Sequence, residues 1–282
     1  MKLKGISFKE AARMVEDNLG DAEFESPKAK ISEGLRRSKL NNLWGRSYPI
    51  ERGDPVGRYL TTRLNGLEVF PDSLHTVDEL EYWDGSTCVG TWPAMVAMVM
   101  APAPSKAQLK ALRSDGSNWE HTPVTIHRTW VTKDGQKAPL DDPRRLMPGD
   151  TPVGSYIPLS PSESVMGIAE GIETALAATK LFGITCWAAI NARNLMHWNP
   201  PPRTEHVVVF GDADRSYTGQ AAAYELARRL SLQEKIETQV RIPPTLGTDW
   251  NDVLLSTGDK LVSIEREKSA AARLHKLEQG CR

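Results

Sequence analysis

The chain has 282 residues, 40% hydrophobic and 25% charged, with a formal net charge of -1. This is an ordinary balance for a folded protein, so it excludes wholesale disorder and gives no overall attraction to polyanions. No stretch approaches the roughly 18 consecutive apolar residues of a membrane span, and the charged start Met1-Lys-Leu-Lys-Gly5 has no apolar run behind it, so neither a signal peptide nor a membrane partner is expected. Cys88, Cys186 and Cys281 are scattered and odd in number. They encode neither a disulfide framework nor a zinc module, and a cytoplasmic location is expected.

Apolar residues Ile6, Phe8, Ala11, Ala12, Val15 and Leu19 predict a short amphipathic helix over 5–20, closed by Gly20. Residues 21–40 are polar and contain Pro27, as a linker or an exposed helix would. Between Lys28 and Arg63 nine Lys or Arg stand against three acids, a local basic stretch in a nearly neutral chain. A turn over 52–55 then leads into a helix beginning near Pro55, with Arg58 and Arg63 on or near it. From residue 82 to 157 short strands are expected, among them a buried one over 93–100 and one over 124–131, followed by a Lys133-Asp-Gly135 turn. Together they predict an antiparallel, partly solvated sheet. Residues 139–154, rich in Pro, Gly and Asp and carrying Arg144 and Arg145, read as a long loop.

Past residue 164 the pattern alternates: strands over 165–169, 185–190, 207–210 and 238–242, and helices over 173–182 and 220–230. Such alternation predicts a parallel sheet with helices on both faces and a site at the carboxyl ends of its strands. Residues 259–282 read as a charged helix.

Three acidic clusters fall in this second half. Glu170 ends one apolar strand, Asp212 and Asp214 end another, and Asp249-Trp-Asn-Asp252 forms an acidic turn. A single Asp after a strand commonly caps a helix, and Asp214 and Asp249 each have a helix to cap. Capping does not account for so many acids at strand ends. Carboxylates brought together raise one another's pKa unless a cation compensates them, and Mg²⁺ prefers such oxygen ligands.

Taken in order, Glu170-Gly-Ile-Glu-Thr-Ala-Leu176, Gly211-Asp-Ala-Asp214 and Asp249-Trp-Asn-Asp-Val-Leu254 resemble the Toprim domain shared by bacterial-type primases, topoisomerases and related nucleases, over residues 160 to 255. The flanking text is similar to primases of phages, plasmids and other mobile elements. His127-Arg-Thr-Trp130, Lys133-Asp-Gly135, Tyr156-Ile-Pro-Leu159 and Gly57-Arg-Tyr-Leu-Thr-Thr-Arg63 resemble segments of the basic region that precedes Toprim in those proteins. Two departures stand out: no zinc-binding Cys/His cluster precedes the core, and Thr174 occupies a position where primases often carry Asp, with Glu173 turned about 100° from it on a helix.

The resemblance implies an α/β fold: a Rossmann-like parallel Toprim sheet preceded by a smaller, mostly antiparallel α+β domain. The expected divisions are 1–40 (helix and linker), 41–159 (basic subdomain), 160–258 (Toprim) and 259–282 (tail). It further implies nucleotidyl transfer, with Glu170, Asp212 and Asp214 catalytic and these three plus Asp249 and Asp252 holding Mg²⁺ or Mn²⁺; no zinc is expected. Single-stranded DNA and nucleoside triphosphates would be the substrates, met by Arg58, Arg63, Arg128, Lys133, Arg193 and Arg215. A separate helicase or zinc-binding template-recognition protein would be the partner. The same acids would serve a metal-dependent nuclease, and a non-catalytic nucleic-acid or protein-binding module is the third reading.

Overall fold

The computed structural model describes residues 32–114 and 120–256. The helices expected over 5–20 and 259–282, and Cys281, lie outside them. Helix α1 (Glu33–Gly45) begins at Ser32, whose hydroxyl accepts the Leu35 N–H, and buries Leu43. The boundary drawn at residue 40 therefore falls inside a helix. Helix α2 (Pro55–Arg63) starts as its Pro suggests, and Asp54 caps it: Oδ1 accepts the Gly57 N–H at 2.6 Å, while Oδ2 accepts the Glu51 N–H at 2.7 Å and the Thr76 hydroxyl at 3.0 Å.

The first sheet has five antiparallel strands in chain order: β1 (Tyr48–Pro49), β2 (Leu74–Asp84), β3 (Thr87–Met100), β4 (Pro123–Trp130) and β5 (Arg144–Leu146). Side chains alternate across β3. Ala94 and Val96 pack with Ile126, Trp130 and Leu43 beneath α1, whereas Met95, Ala97 and Val99 join Tyr59 and Leu60 of α2. Both faces are thus covered along the second half of β3, while its first half and the end of β2 are largely exposed, as a partly solvated sheet is. Strand β5 corrects the loop reading of 139–154, and helix α3 (Lys106–Ser114) follows the prolines that end β3.

The second sheet is parallel, with strand order β7-β6-β8-β9: β6 (Val165–Ala169), β7 (Cys186–Ala188), β8 (His206–Phe210) and β9 (Glu237–Arg241). Helix α4 (Ile172–Phe182) covers one face. The short α5 (Ala192–His197) and α6 (Thr218–Arg229) cover the other, where Leu195 and Leu226 pack with Met166, Ile168, Val207 and Val209. Burial on both sides explains why β6, β7 and most of β8 read as apolar runs, whereas the edge strand β9 is polar and only partly buried. A final helix, α7, occupies residues 250–256. Among the described residues no helix is long and apolar enough to cross a membrane.

Two features join the sheets. Ile157 exchanges backbone hydrogen bonds of 2.7 and 3.1 Å with Ala188 of β7, while its neighbour Tyr156 does so with Met100 of β3 at 2.8 and 3.2 Å. One apolar core also runs through both, from Tyr59, Met95 and Ile157 to Ala169, Phe210 and Trp250. The end of α2 is fastened to the parallel half, because Asn251 Nδ2 donates to the Arg63 carbonyl at 2.5 Å and Lys180 Nζ to that of Leu64 at 3.1 Å. On its other side lies the turn at Gly135, with φ +82° and so little space that a Cβ would come 2.7 Å from Arg58 Cβ and 2.9 Å from the Tyr59 nitrogen. Gly135→Ala is expected to destabilise the fold by about 2 kcal/mol through overpacking and backbone strain, read as a lower urea midpoint at unchanged slope.

Candidate active site

Parallel strands deliver the residues after them to one edge of the sheet. Glu170 follows β6 and Asp212 lies two residues beyond β8, while Asp249 stands just before α7. All three line one cleft of about 380 Å³. The same cleft is lined by Glu173, Thr174 and Asn191 from the parallel half, and by His127, Asp142, Arg144 and Leu146 from the antiparallel half. The acids therefore lie between the two sheets, facing β4 and β5.

The remaining expected acids serve the helices around the cleft. Asp214 Oδ2 accepts the Gly219 N–H at 2.8 Å and caps the start of α6, and a Cβ on Gly219 would lie 2.9 Å from that oxygen and 3.0 Å from the Asp212 carbonyl. Asp249 and Asp252 cap α7 reciprocally: Asp249 Oδ1 accepts the Asp252 N–H at 2.8 Å and Asp252 Oδ2 accepts the Asp249 N–H at 3.1 Å. Capping thus explains Asp252, which is exposed. Asp249 caps α7 and lines the cleft at once.

Electrostatics separate the cleft acids into two groups. Burial, then Glu170, Asp249 and Asp214, push the Asp212 carboxyl up to about 8 against the opposing field of Arg144. Glu170 is raised by burial and by Asp214, with Arg144 and the Ala192 N–H working the other way, and Asp249 is raised chiefly by burial. Glu173 differs. Its burial favours the neutral form, yet Arg144, the Tyr59 hydroxyl and Lys137 overcome that and hold its carboxyl below the usual range. The Tyr59 hydroxyl donates to Glu173 Oε1 at 2.5 Å, and Arg144 Nη1 lies 3.9 Å from Oε2. Burial pushes His127 down to about 4, so it is neutral.

Among the described residues no three His, Cys, Asp or Glu side chains form a ready-made metal cage. The oxygen donors nonetheless suit a hard divalent ion. Asp212 Oδ1 is buried with no hydrogen-bond partner, and Mg²⁺ commonly binds through one or two carboxylates while keeping its waters.

Of the expected basic contacts, Arg63 lies nearest: its field reaches Asp249 and its Nε is buried without a hydrogen-bond partner. Arg193, in the first turn of α5, and Arg215, on the loop after β8, are both exposed. Arg58 donates to the Lys133 carbonyl at 2.5 Å, which ties it to the turn where the exposed Lys133 sits. Arg128 faces the opposite side of its sheet, where it stacks 4.8 Å from the Trp130 ring centre and donates to the Leu146 carbonyl at 2.9 Å. Trp130 itself is core, 1% exposed. Sequence reasoning missed Arg144, Lys137, Asn191 and Tyr59. The usable signal for Arg144 was the Arg-Arg pair inside a polar segment, although its neighbour Arg145 turns instead to Asp142 and the Tyr82 ring.

Residues 165–260 match the family model described as the Toprim domain. This part of the chain is a Toprim domain. Residues 35–155, ahead of the Toprim domain, match a model described as a domain of unknown function (DUF7146). No curated protein matches the chain. Solved structures similar to it include the primase fragment of the bacteriophage T7 primase-helicase protein, at 12% identity over 89% of this chain and 85% of that one, with a TM-score of 0.42. They also include the Aquifex aeolicus primase with its zinc-binding and RNA polymerase domains, at 16% identity over 93% and 67%, TM-score 0.42. A DNA primase domain from Pseudomonas aeruginosa matches at 13% identity over 67% of this chain, TM-score 0.38, and the chain spans 55% of its length. The assignment rests on the Toprim match.

The raised Asp212 carboxyl fixes a sign. Without a cation, the folded chain holds a proton there between its ordinary value of 3.8 and about 8, where the unfolded chain has lost it. This contribution to stability is complete below pH 4 and is lost as pH rises through about 8. In EDTA, denaturation of Asp212→Asn should show its advantage over the unmodified chain growing from pH 5 to pH 8, and added Mg²⁺ should narrow the gap by stabilising only the latter.

Proposed function

We propose that the chain is a primase-like nucleotidyltransferase, joining nucleoside triphosphates into short primers on single-stranded DNA with Mg²⁺ or Mn²⁺. The reading is carried by the two-walled cleft: carboxylates Glu170, Asp212 and Asp249 on one side, and Arg144 on the other, with Lys137 and Arg63 close enough for their fields to act there. A triphosphate suits such a site, because its oxygens can meet a bound cation and a guanidinium together.

In this reading residues 41–159 form the basic subdomain and 160–258 the Toprim domain. Asp212, with its orphaned buried oxygen, and Glu170 would hold the cation, with Asp249 within reach. When bound, that ion supplies charge neutralisation at the phosphoryl oxygens and acidifies the attacking 3′-hydroxyl. Asp214 fixes the start of α6 and with it the backbone that presents Asp212, while its charge raises both neighbours. Glu170 can share the cation or take the hydroxyl proton. Arg144 meets the phosphates, and Arg193 and Arg215, exposed near the strand ends, are available to the template backbone. Arg58 and Arg128 are engaged by backbone carbonyls and are weaker candidates. A separate helicase or zinc-binding protein would bring the template, and a cytoplasmic setting agrees with the scattered cysteines.

The test is incubation with single-stranded DNA, labelled nucleoside triphosphates and Mn²⁺. Short labelled products are expected, and Asp212→Asn should reduce them by at least about 100-fold. Shortening of the DNA in the absence of triphosphates would assign the acids to a nuclease instead. Retention of biological activity by Asp212→Asn would assign the chain to a binding role.

A further inference from the structure

Glu173 lines the acidic cleft but keeps different company from the other acids. It is 5% exposed, one oxygen accepts the Tyr59 hydroxyl at 2.5 Å, and the other faces Arg144 at 3.9 Å. Tyr59 is itself 1% exposed and lies in the core shared by the two sheets, so the oxygen it grips is held in place. The acids acting on Glu170 and Asp212 are Asp214, Asp249 and Glu170 itself. The cation acting on both is Arg144, whose side chain is 47% exposed.

Arg144 thus stands between two attractions. On one side is Glu173, already fixed by Tyr59. On the other are Glu170, Asp212 and Asp249, three carboxylates that line the same cleft. A long, half-exposed arginine with no anchor would fold onto that cluster and become its permanent counter-ion. It would then compete with any divalent cation and would leave no charge for a substrate.

We propose that Glu173 is a positioning residue: anchored by Tyr59, it holds the Arg144 guanidinium at the mouth of the cleft, where it meets substrate phosphate and stays clear of the cation's carboxylates. The proposal rests on the nucleotidyl-transfer reading of the same cleft. It gives Glu173 no place among the cation's ligands, and it makes Tyr59, on a helix of the antiparallel half, part of the site's electrostatics.

The decisive measurement is Mn²⁺ binding to the nucleotide-free full chain, read by the electron paramagnetic resonance signal of free Mn²⁺. Glu173→Gln should weaken binding about tenfold, since the freed guanidinium then competes at close range. Tyr59→Phe should move it the same way by less. The double variant Glu173→Gln/Arg144→Ala should bind Mn²⁺ at least as tightly as the unmodified chain, a recovery that no general damage to the fold would produce. Fluorescent triphosphate analogues should bind more weakly to both Arg144→Ala and Glu173→Gln. Unchanged Mn²⁺ affinity in Glu173→Gln, or a double variant no tighter than that single one, overturns the proposal. If the unmodified chain makes no primers yet the variants keep this order of affinities, the nucleotidyl-transfer reading fails and the positioning of Arg144 stands.

Discussion

A phenol hydroxyl buried where two sheets meet must find an acceptor there, and Tyr59 finds it in Glu173. Much of the architecture follows from that bond. It sets the face of α2 against the start of α4, and the end of α2 is then held by Asn251 and Lys180. With α2 fixed, the Gly135 turn packs against it from the other side, and Lys137, just past that turn, comes within the field of Glu173. The sequence segments around Tyr59, Gly135, Glu173 and Asn251, distant along the chain, meet on this one short helix.

The acids at the strand ends set the opposing condition. Glu170, Asp212 and Asp249 are partly buried together, and each is harder to ionise than in water. Nothing about folding requires that arrangement, and helix capping consumes only Asp214, Asp252 and one side of Asp249. Unfavourable electrostatics of this kind are found where a ligand is to be bound. The Toprim match places the cluster in a domain with which such chemistry agrees.

The parallel half was legible because its inner strands β6 and β8 are nearly continuous apolar runs, and an acid just after such a run lies at the strand's carboxyl end. Glu170 and Asp212 could be read that way. The antiparallel half was less so. In β2 the register shifts between Val77 and Leu80, which breaks the alternation a strand would show. Strand β5 is only three residues long, in a segment whose Pro, Gly and Asp content resembles a loop, so Arg144 had no assigned position. Helix spacing turns Glu173 about 100° away from position 174. The missing fact was tertiary: α2 lies on that side and supplies a hydroxyl. Asp252, in the same acidic motif as Asp249, is exposed and caps its own helix through one oxygen.

The short segment at Tyr156 and Ile157 has a consequence for motion. Its backbone is bonded to β3 on one side and β7 on the other, and one core fills the space between. Two bodies stitched in this way cannot swing apart like jaws without breaking paired main-chain bonds in an apolar interior. Admission to the cleft then falls to side chains at its rim, which reorient in nanoseconds or faster rather than on the microsecond to millisecond scale of hinged domains. A ligand entering there would meet the rim rotamers first and would not wait on a moving domain.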